Sequence, residues 1–234
     1  LKQLYRRAVF RSDGLSCVST RLKKHVISQY SRTKPVTVIT NAVDTESFRP
    51  LNKKKCREML GLPTGAIIVG TAGDLSQGRG SEIIFEALKK HPDAFQNIHI
   101  AVAGYRSADT TLPKSDRVHD LGVLSSTEVP MFLNTLDLGV VYNRKTLFGE
   151  FCFPQKLYEF AACDCPLLAA AIGEVGDLLE DYPDLLYPES DTKIFTEKMC
   201  QQLSVKTLLP LTLPSWQNQA KLLEEHVQTV RQNV

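Results

Sequence analysis

No apolar run in the sequence approaches the roughly 18 residues that a membrane-spanning helix needs. A helical span within these residues is excluded, and no stretch reads as a signal peptide. Net charge is nearly absent as well, +2 from 28 basic and 26 acidic residues. The total therefore gives no preference for nucleic acid or for an anionic membrane. CxxC pairs are missing, and the lone Cys163-x-Cys165 is too isolated for a zinc site. Of the six cysteines, Cys17 and Cys163 lie in apolar surroundings, as free buried thiols do. That pattern favours a reducing compartment over a disulfide framework. HExxH, facial-triad and DxD spacings are absent, so no metal and no other cofactor is expected. GxGxxG and GK[ST] are absent too, which argues against a dinucleotide-dependent dehydrogenase and a P-loop NTPase.

What is present is a regular alternation. Apolar or β-branched runs occur at 14–19, 36–39, 66–73, 98–104, 118–122, 138–142, 166–171 and 185–188. Helical segments are predicted at 1–12, 21–30, 53–60, 81–90, 125–134, 155–162, 173–180, 191–203 and 216–230, with Ser125 or Ser126 capping the fifth. Strands without strict polar alternation, each followed by a helix, predict an α/β Rossmann-like parallel sheet with helices on both faces. Ligands bind such sheets at the carboxyl ends of the strands. Three loops are predicted to meet there: 73–80, 122–126 and 143–154. Basic residues crowd the first 34 positions, from Lys2 to Lys34. A solvated helix face and a surface facing phosphates or an anionic membrane both account for them.

The stretch Phe148–Ala162, FGEFCFPQKLYEFAA, carries the most chemistry. Pro154 suits a first helical turn. Glu159 then falls one turn in, among residues that read as buried, and a carboxylate there needs a partner. A polyol donating two hydroxyls is one candidate. The plain alternative is a first-turn Glu favoured by the helix dipole. Amides at the helix start, with Lys156, suit a phosphate. Ribose and diphosphate together suggest a nucleotide-sugar. The loop Gly73–Gly80, GDLSQGRG, permits close backbone approach and offers Arg79 as a fork for phosphate oxygens. An ordinary strand-to-helix turn with a surface Arg is its alternative reading.

In chain order these segments resemble the C-terminal, donor-binding domain of the family-4 retaining glycosyltransferases, which have the GT-B fold. Ser12–Ser19 resembles the family's "ADgvitvS" strand. Val38–Pro50 contains Asn41-Ala42-Val43-Asp44, similar to the family's Asn-Gly-Val-Asp with Ala42 in place of the glycine. Loop 73–80 matches its "GRLspeKG" loop in length. Pro154–Phe160 resembles its "PxKLfEy" donor motif, and Ser215-Trp216 the start of its last helix. The resemblance implies that Glu159 holds the ribose and that Arg79 and Lys156 act on the leaving diphosphate. It puts Gly73 at the phosphates, Val123 and Leu124 at the base, and Glu150, Phe151, Cys152, Phe153 and Leu157 around the diphosphate and donor sugar. It implies a UDP- or GDP-sugar donor, a glycan or lipid-linked acceptor, polysaccharide synthesis, and a cytoplasmic location with contact to the inner membrane face. The chain starts with Leu and reads as a fragment of something longer, and the resemblance implies an N-terminal acceptor domain before it. Residues 1–19 are then its end, 20–214 the nucleotide-sugar domain, and 215–234 a helix returning to it, with Trp216, Ala220 and Leu223 as the returning apolar face. Two departures stand out. Asp74 replaces the family's loop arginine, and Glu150 sits one place from the first carboxylate of the family's Glu-x7-Glu pair. They support a rival reading, a non-catalytic interaction module, and a GT-B sugar-nucleotide epimerase is a second one.

Overall fold

The structure is a computed structural model that describes residues 2–76, 79–108 and 110–232. Gln77 and Gly78 of the predicted glycine loop, and Asp109, lie outside the described residues. The elements run α1 (Lys2–Arg11), β1 (Leu15–Cys17), α2 (Thr20–Tyr30), β2 (Val36–Val38), α3 (Lys53–Met59), β3 (Ile67–Ala72), α4 (Glu82–Lys90), β4 (Ile98–Ala103), β5 (Val118–Asp120), α5 (Glu128–Leu133) and β6 (Leu138–Val141). Then come α6 (Leu147–Phe151), α7 (Lys156–Ala162), β7 (Leu167–Ala170), α8 (Gly173–Leu178), β8 (Leu186–Tyr187), α9 (Thr192–Val205) and α10 (Trp216–Gln232).

The main sheet has six strands in the order β5-β4-β3-β6-β7-β8, every neighbouring pair parallel. Counted by appearance this is 3-2-1-4-5-6, the doubly wound Rossmann order, whose winding reverses between β3 and β6. Successive strand residues feed opposite faces, as the pleat requires. Ile68, Val141 and Leu167 pack with Phe132 of α5 and with Leu157 and Phe160 of α7. Val69, Val140 and Leu168 pack with Ile84 and Ala87 of α4 and with Phe195 and Met199 of α9. Both faces are therefore covered, and the reversal leaves a crevice at the carboxyl ends of β3 and β6.

A second, two-stranded parallel sheet pairs β1 with β2. Val9, Cys17 and Val26 form its small core. Residues 15–17 are thus held by residues 36–38, across the predicted boundary at residue 19. The last helix is inverted relative to the usual amphipathic rule. α10 buries Gln219 and His226 and exposes Trp216, Leu222, Leu223 and Val227, and the His226 ring lies 2.9 Å from the Thr37 hydroxyl.

Three local readings need correction. The region 143–154 is not all loop: the Thr146 hydroxyl accepts from the Gly149 amide at 3.1 Å and starts the five-residue α6. Neither Ser125 nor Ser126 caps α5 in the ordinary sense. Thr127 holds the cap position without a side-chain bond to the helix amides, and the Glu128 carboxylate instead accepts from the Ser125 amide and hydroxyl. The amides of Leu157, Tyr158 and Glu159 in the first turn of α7 are not open to a phosphate, because they donate to the carbonyls of Pro154 and Gln155.

Candidate functional site

Glycine brings the carboxyl ends of β3, β4 and β5 together. Gly73 donates its amide to Ala103, and Gly104 donates to Gly122. Gly104 has φ +134°, and a Cβ there would lie 1.8 Å from the Gly73 carbonyl oxygen, so no other residue fits without moving the backbone. The loop after β3 is thereby drawn against the start of α7. Two adjoining cavities open in the resulting crevice, sharing Gly73 and Lys156.

The smaller cavity, about 160 Å³, holds both cations of the site, Arg79 and Lys156. The Lys156 ammonium lies 3.7 Å from the centre of the Tyr142 ring. Burial depresses its pKa from 10.5 to about 8; Glu159 pulls it up and Arg79 pushes it down. The Arg79 guanidinium stacks 4.5 Å over Phe148. Its Nε also sits 3.1 Å from the Asp74 carboxylate. Asp74 is ionised, because the hydrogen bond from Ser76 foremost, and then Arg79, hold its pKa below the usual range. Cys152 and Phe153 complete this wall.

The larger cavity, about 380 Å³, runs from Gly73 and Gly104 past Tyr105, Val123 and Leu124 to Glu159. The partly buried Glu159 carboxylate accepts from the Gln155 amide nitrogen at 3.1 Å. Burial raises its pKa, against the lowering effects of Lys156 and Gln155. The cavity thus offers one carboxylate in a largely apolar slot, with a cation at its inner end.

Gly73, Arg79, Val123, Leu124, Cys152, Phe153, Lys156 and Glu159 all line one cavity or the other. The other three predicted residues do not. The Glu150 carboxylate is taken by Arg21, 2.6 Å away, and Arg21 also grips Asp177. Phe151 stacks on His25 at 4.6 Å, and its carbonyl accepts from Ser19 at 2.7 Å. Leu157 is fully buried in the core. Among the described residues no group of three or more His, Cys, Asp or Glu side chains is placed to hold a metal ion.

A family model described as glycosyl transferases, group 1, matches residues 66–204, more than half of the chain and all of both cavities. The chain belongs to the group 1 glycosyl transferases. Similar curated proteins include a Bacillus subtilis (strain 168) glycosyltransferase assigned to teichuronic acid biosynthesis, 23% identical across 87% of this chain and 51% of its own length. The D-inositol 3-phosphate glycosyltransferase of Stackebrandtia nassauensis is 26% identical across 75% of this chain and 42% of its own. Among solved structures, Anabaena Alr3699/HepE in complex with UDP and glucose superposes with a TM-score of 0.73. It is 18% identical across 99% of this chain and 64% of that one, which shows a shared fold. The chain spans about half the length of the curated relatives it matches.

In this glycosyl transferase domain, sequence reasoning passed over Tyr142, Gln155 and Tyr105. Tyr142 closes a strand at its carboxyl end, which is the signal that could have singled it out. The Gln155–Glu159 bond follows from i,i+4 spacing on a helix. Nothing local marks Tyr105, which reaches the site only through the β4 turn.

Proposed function

We propose that this chain is the donor domain of a retaining glycosyltransferase that takes a nucleotide-sugar, with UDP ahead of GDP as the nucleotide. The observation that carries the reading is the division of labour along one crevice. A single carboxylate, Glu159, lies in the wider slot, and two cations, Arg79 and Lys156, lie in the narrower one. A carboxylate acceptor suits the two ribose hydroxyls, and two cations suit a diphosphate. The Anabaena structure with UDP and glucose, which covers 99% of this chain, supports the choice of nucleotide.

In this reading the bond from the anomeric carbon to the diphosphate breaks, and charge builds on the leaving phosphate oxygens. Arg79 and Lys156 stabilise that charge from fixed positions, at which they are worth more than in water. The donor set is cationic, so the reading needs no metal. The sugar passes to an acceptor hydroxyl supplied outside these residues. The six free cysteines suit a reducing, cytoplasmic setting. A second reading, a binding module without turnover, draws on the capture of Glu150 by Arg21. It shares the nucleotide site and differs only in transfer.

The test is calorimetric titration of the chain with UDP and GDP. Glu159→Ala is expected to weaken UDP binding by at least about tenfold, the size of one charge-assisted interaction. Its melting temperature is expected not to fall, since a partly buried carboxylate with a raised pKa is removed. Equal affinity in the variant would end the ribose assignment. Binding without transfer to any acceptor in the longer protein would favour the module.

A further inference from the structure

We propose that Asp74 is a built-in competitor for the diphosphate, holding Arg79 in the empty site and weighing most heavily on the released nucleoside diphosphate. The inference rests on the nucleotide reading above. Its starting point is that an acid stands where two cations gather, and three contacts fix it there. One carboxylate oxygen accepts from the Ser76 amide at 2.9 Å. The other lies 3.1 Å from Arg79 Nε. Its backbone carbonyl accepts from the Tyr142 hydroxyl at 2.5 Å. The ring of that same tyrosine lies under the Lys156 ammonium. Asp74 is thus bound to one of the two cations that a diphosphate would use, and through its backbone to the tyrosine that faces the other.

Strength decides the outcome. The Asp74 and Arg79 side chains are 40% and 39% exposed, and exposed ion pairs of this kind contribute little. A diphosphate offers several charged oxygens and a forked geometry to the guanidinium, so it wins the exchange. The carboxylate stays nearby after losing Arg79, held by Ser76, and repels what displaced it. A free nucleoside diphosphate carries more negative charge than the same diphosphate esterified to a sugar. Asp74 therefore disfavours product more than donor and assists its release.

Asp74→Asn isolates the charge. The amide oxygen can still accept from Ser76, and the backbone bond to Tyr142 is untouched. Inorganic pyrophosphate, UDP and UDP-glucose are titrated against wild type and variant by calorimetry. The variant is expected to bind pyrophosphate and UDP about three- to tenfold more tightly, with a smaller gain for UDP-glucose. The gain is expected to shrink when Arg79→Ala is added, because the competition for the guanidinium ends while the repulsion remains. Unchanged or weaker binding of pyrophosphate, or no binding of it by either protein, overturns the inference. So does an equal gain for UDP and UDP-glucose, or a gain that Arg79→Ala leaves undiminished. The nucleotide reading fails separately: UDP then binds no better than pyrophosphate and ignores Glu159→Ala, whatever Asp74→Asn does to pyrophosphate.

Discussion

Replacing Lys156 by methionine is expected to raise the melting temperature of the empty protein and to remove diphosphate binding. The ammonium is held in a poorly solvated place, and burial lowers its pKa from 10.5 to about 8. A depression of that size corresponds to about 3 kcal/mol against the charged form in the folded state. The contact with the Tyr142 ring, roughly 1 kcal/mol, is lost with the charge. Methionine has similar length and no charge, so the net gain is about 1–2 kcal/mol, or roughly 3–6 °C for a chain of this size. The sign of the pH dependence follows. The unfolded lysine stays protonated up to about 10.5, while the folded one loses its proton near 8. Between those values the unfolded state binds more protons, so stability rises with pH in wild type and not in the variant. Ligand affinity moves the other way. A diphosphate prefers the ammonium, so binding is flat from pH 7 to about 8 and falls above it, by up to about tenfold per pH unit. Calorimetry at several pH values and a thermal melt read both effects. A variant that binds UDP normally, or a wild type whose affinity ignores pH from 7 to 10, would remove Lys156 from the site.

That residue was legible in the sequence because its signal is local. A proline followed by Lys, Leu, Tyr and Glu sets a helix start, and the strand before it points to the ligand edge. The same holds for the sheet: runs such as Ile67–Ala72 and Leu138–Val141 are strands on their composition alone. Their order was not legible. Handedness rules limit the topologies, but the reversal between β3 and β6 is decided by which faces bury which side chains. Long-range pairing was equally hidden. Glu150 reads as a loop carboxylate near the sugar, yet its partner Arg21 lies 129 positions away. The acid at Asp74 reads as a departure from the family's loop arginine. The structure pairs it with Ser76 two residues on and Arg79 five residues on, in a turn that local hydrogen-bonding rules already favour. α6 was missed because five residues with a central glycine carry no helical period. The family segments were read correctly at the level of the group 1 domain. The match to that family covers 66–204, so the Asn41–Asp44 segment adds to the resemblance from outside it.

The largest loss of stability is expected at Asp137, which lines neither cavity of the site. Its carboxylate sits beside the reversal of the sheet and ties β3 to β6. One oxygen accepts from Lys53 at 2.8 Å. The other accepts from Arg57 at 2.7 Å and from the Ile68 amide at 2.8 Å. Arg57 is only 4% exposed and also donates to the carbonyls of Thr135, Thr64 and Ala66. Asp137→Ala leaves that guanidinium buried without its counter-charge, which costs about 3–5 kcal/mol. Urea denaturation reads the loss as a lower midpoint with an unchanged slope. Burial alone would raise the Asp137 pKa, but the bonds from Lys53, Ile68 and Arg57 outweigh it and hold it below the ordinary 3.8. Its stabilising contribution is therefore complete above that value and is lost as pH falls through the lower, folded one. The consequence reaches the site, because the β3–β6 register sets where Gly73 and Tyr142 end. In the Asp137→Ala protein, UDP binding is expected to weaken even where the fold persists. Replacing Arg57 and Asp137 together by leucine is expected to recover much of the stability, since the costly charge then leaves with its partner. A single variant within about 1 kcal/mol of wild type would show that Arg57 finds its balance among the carbonyls alone.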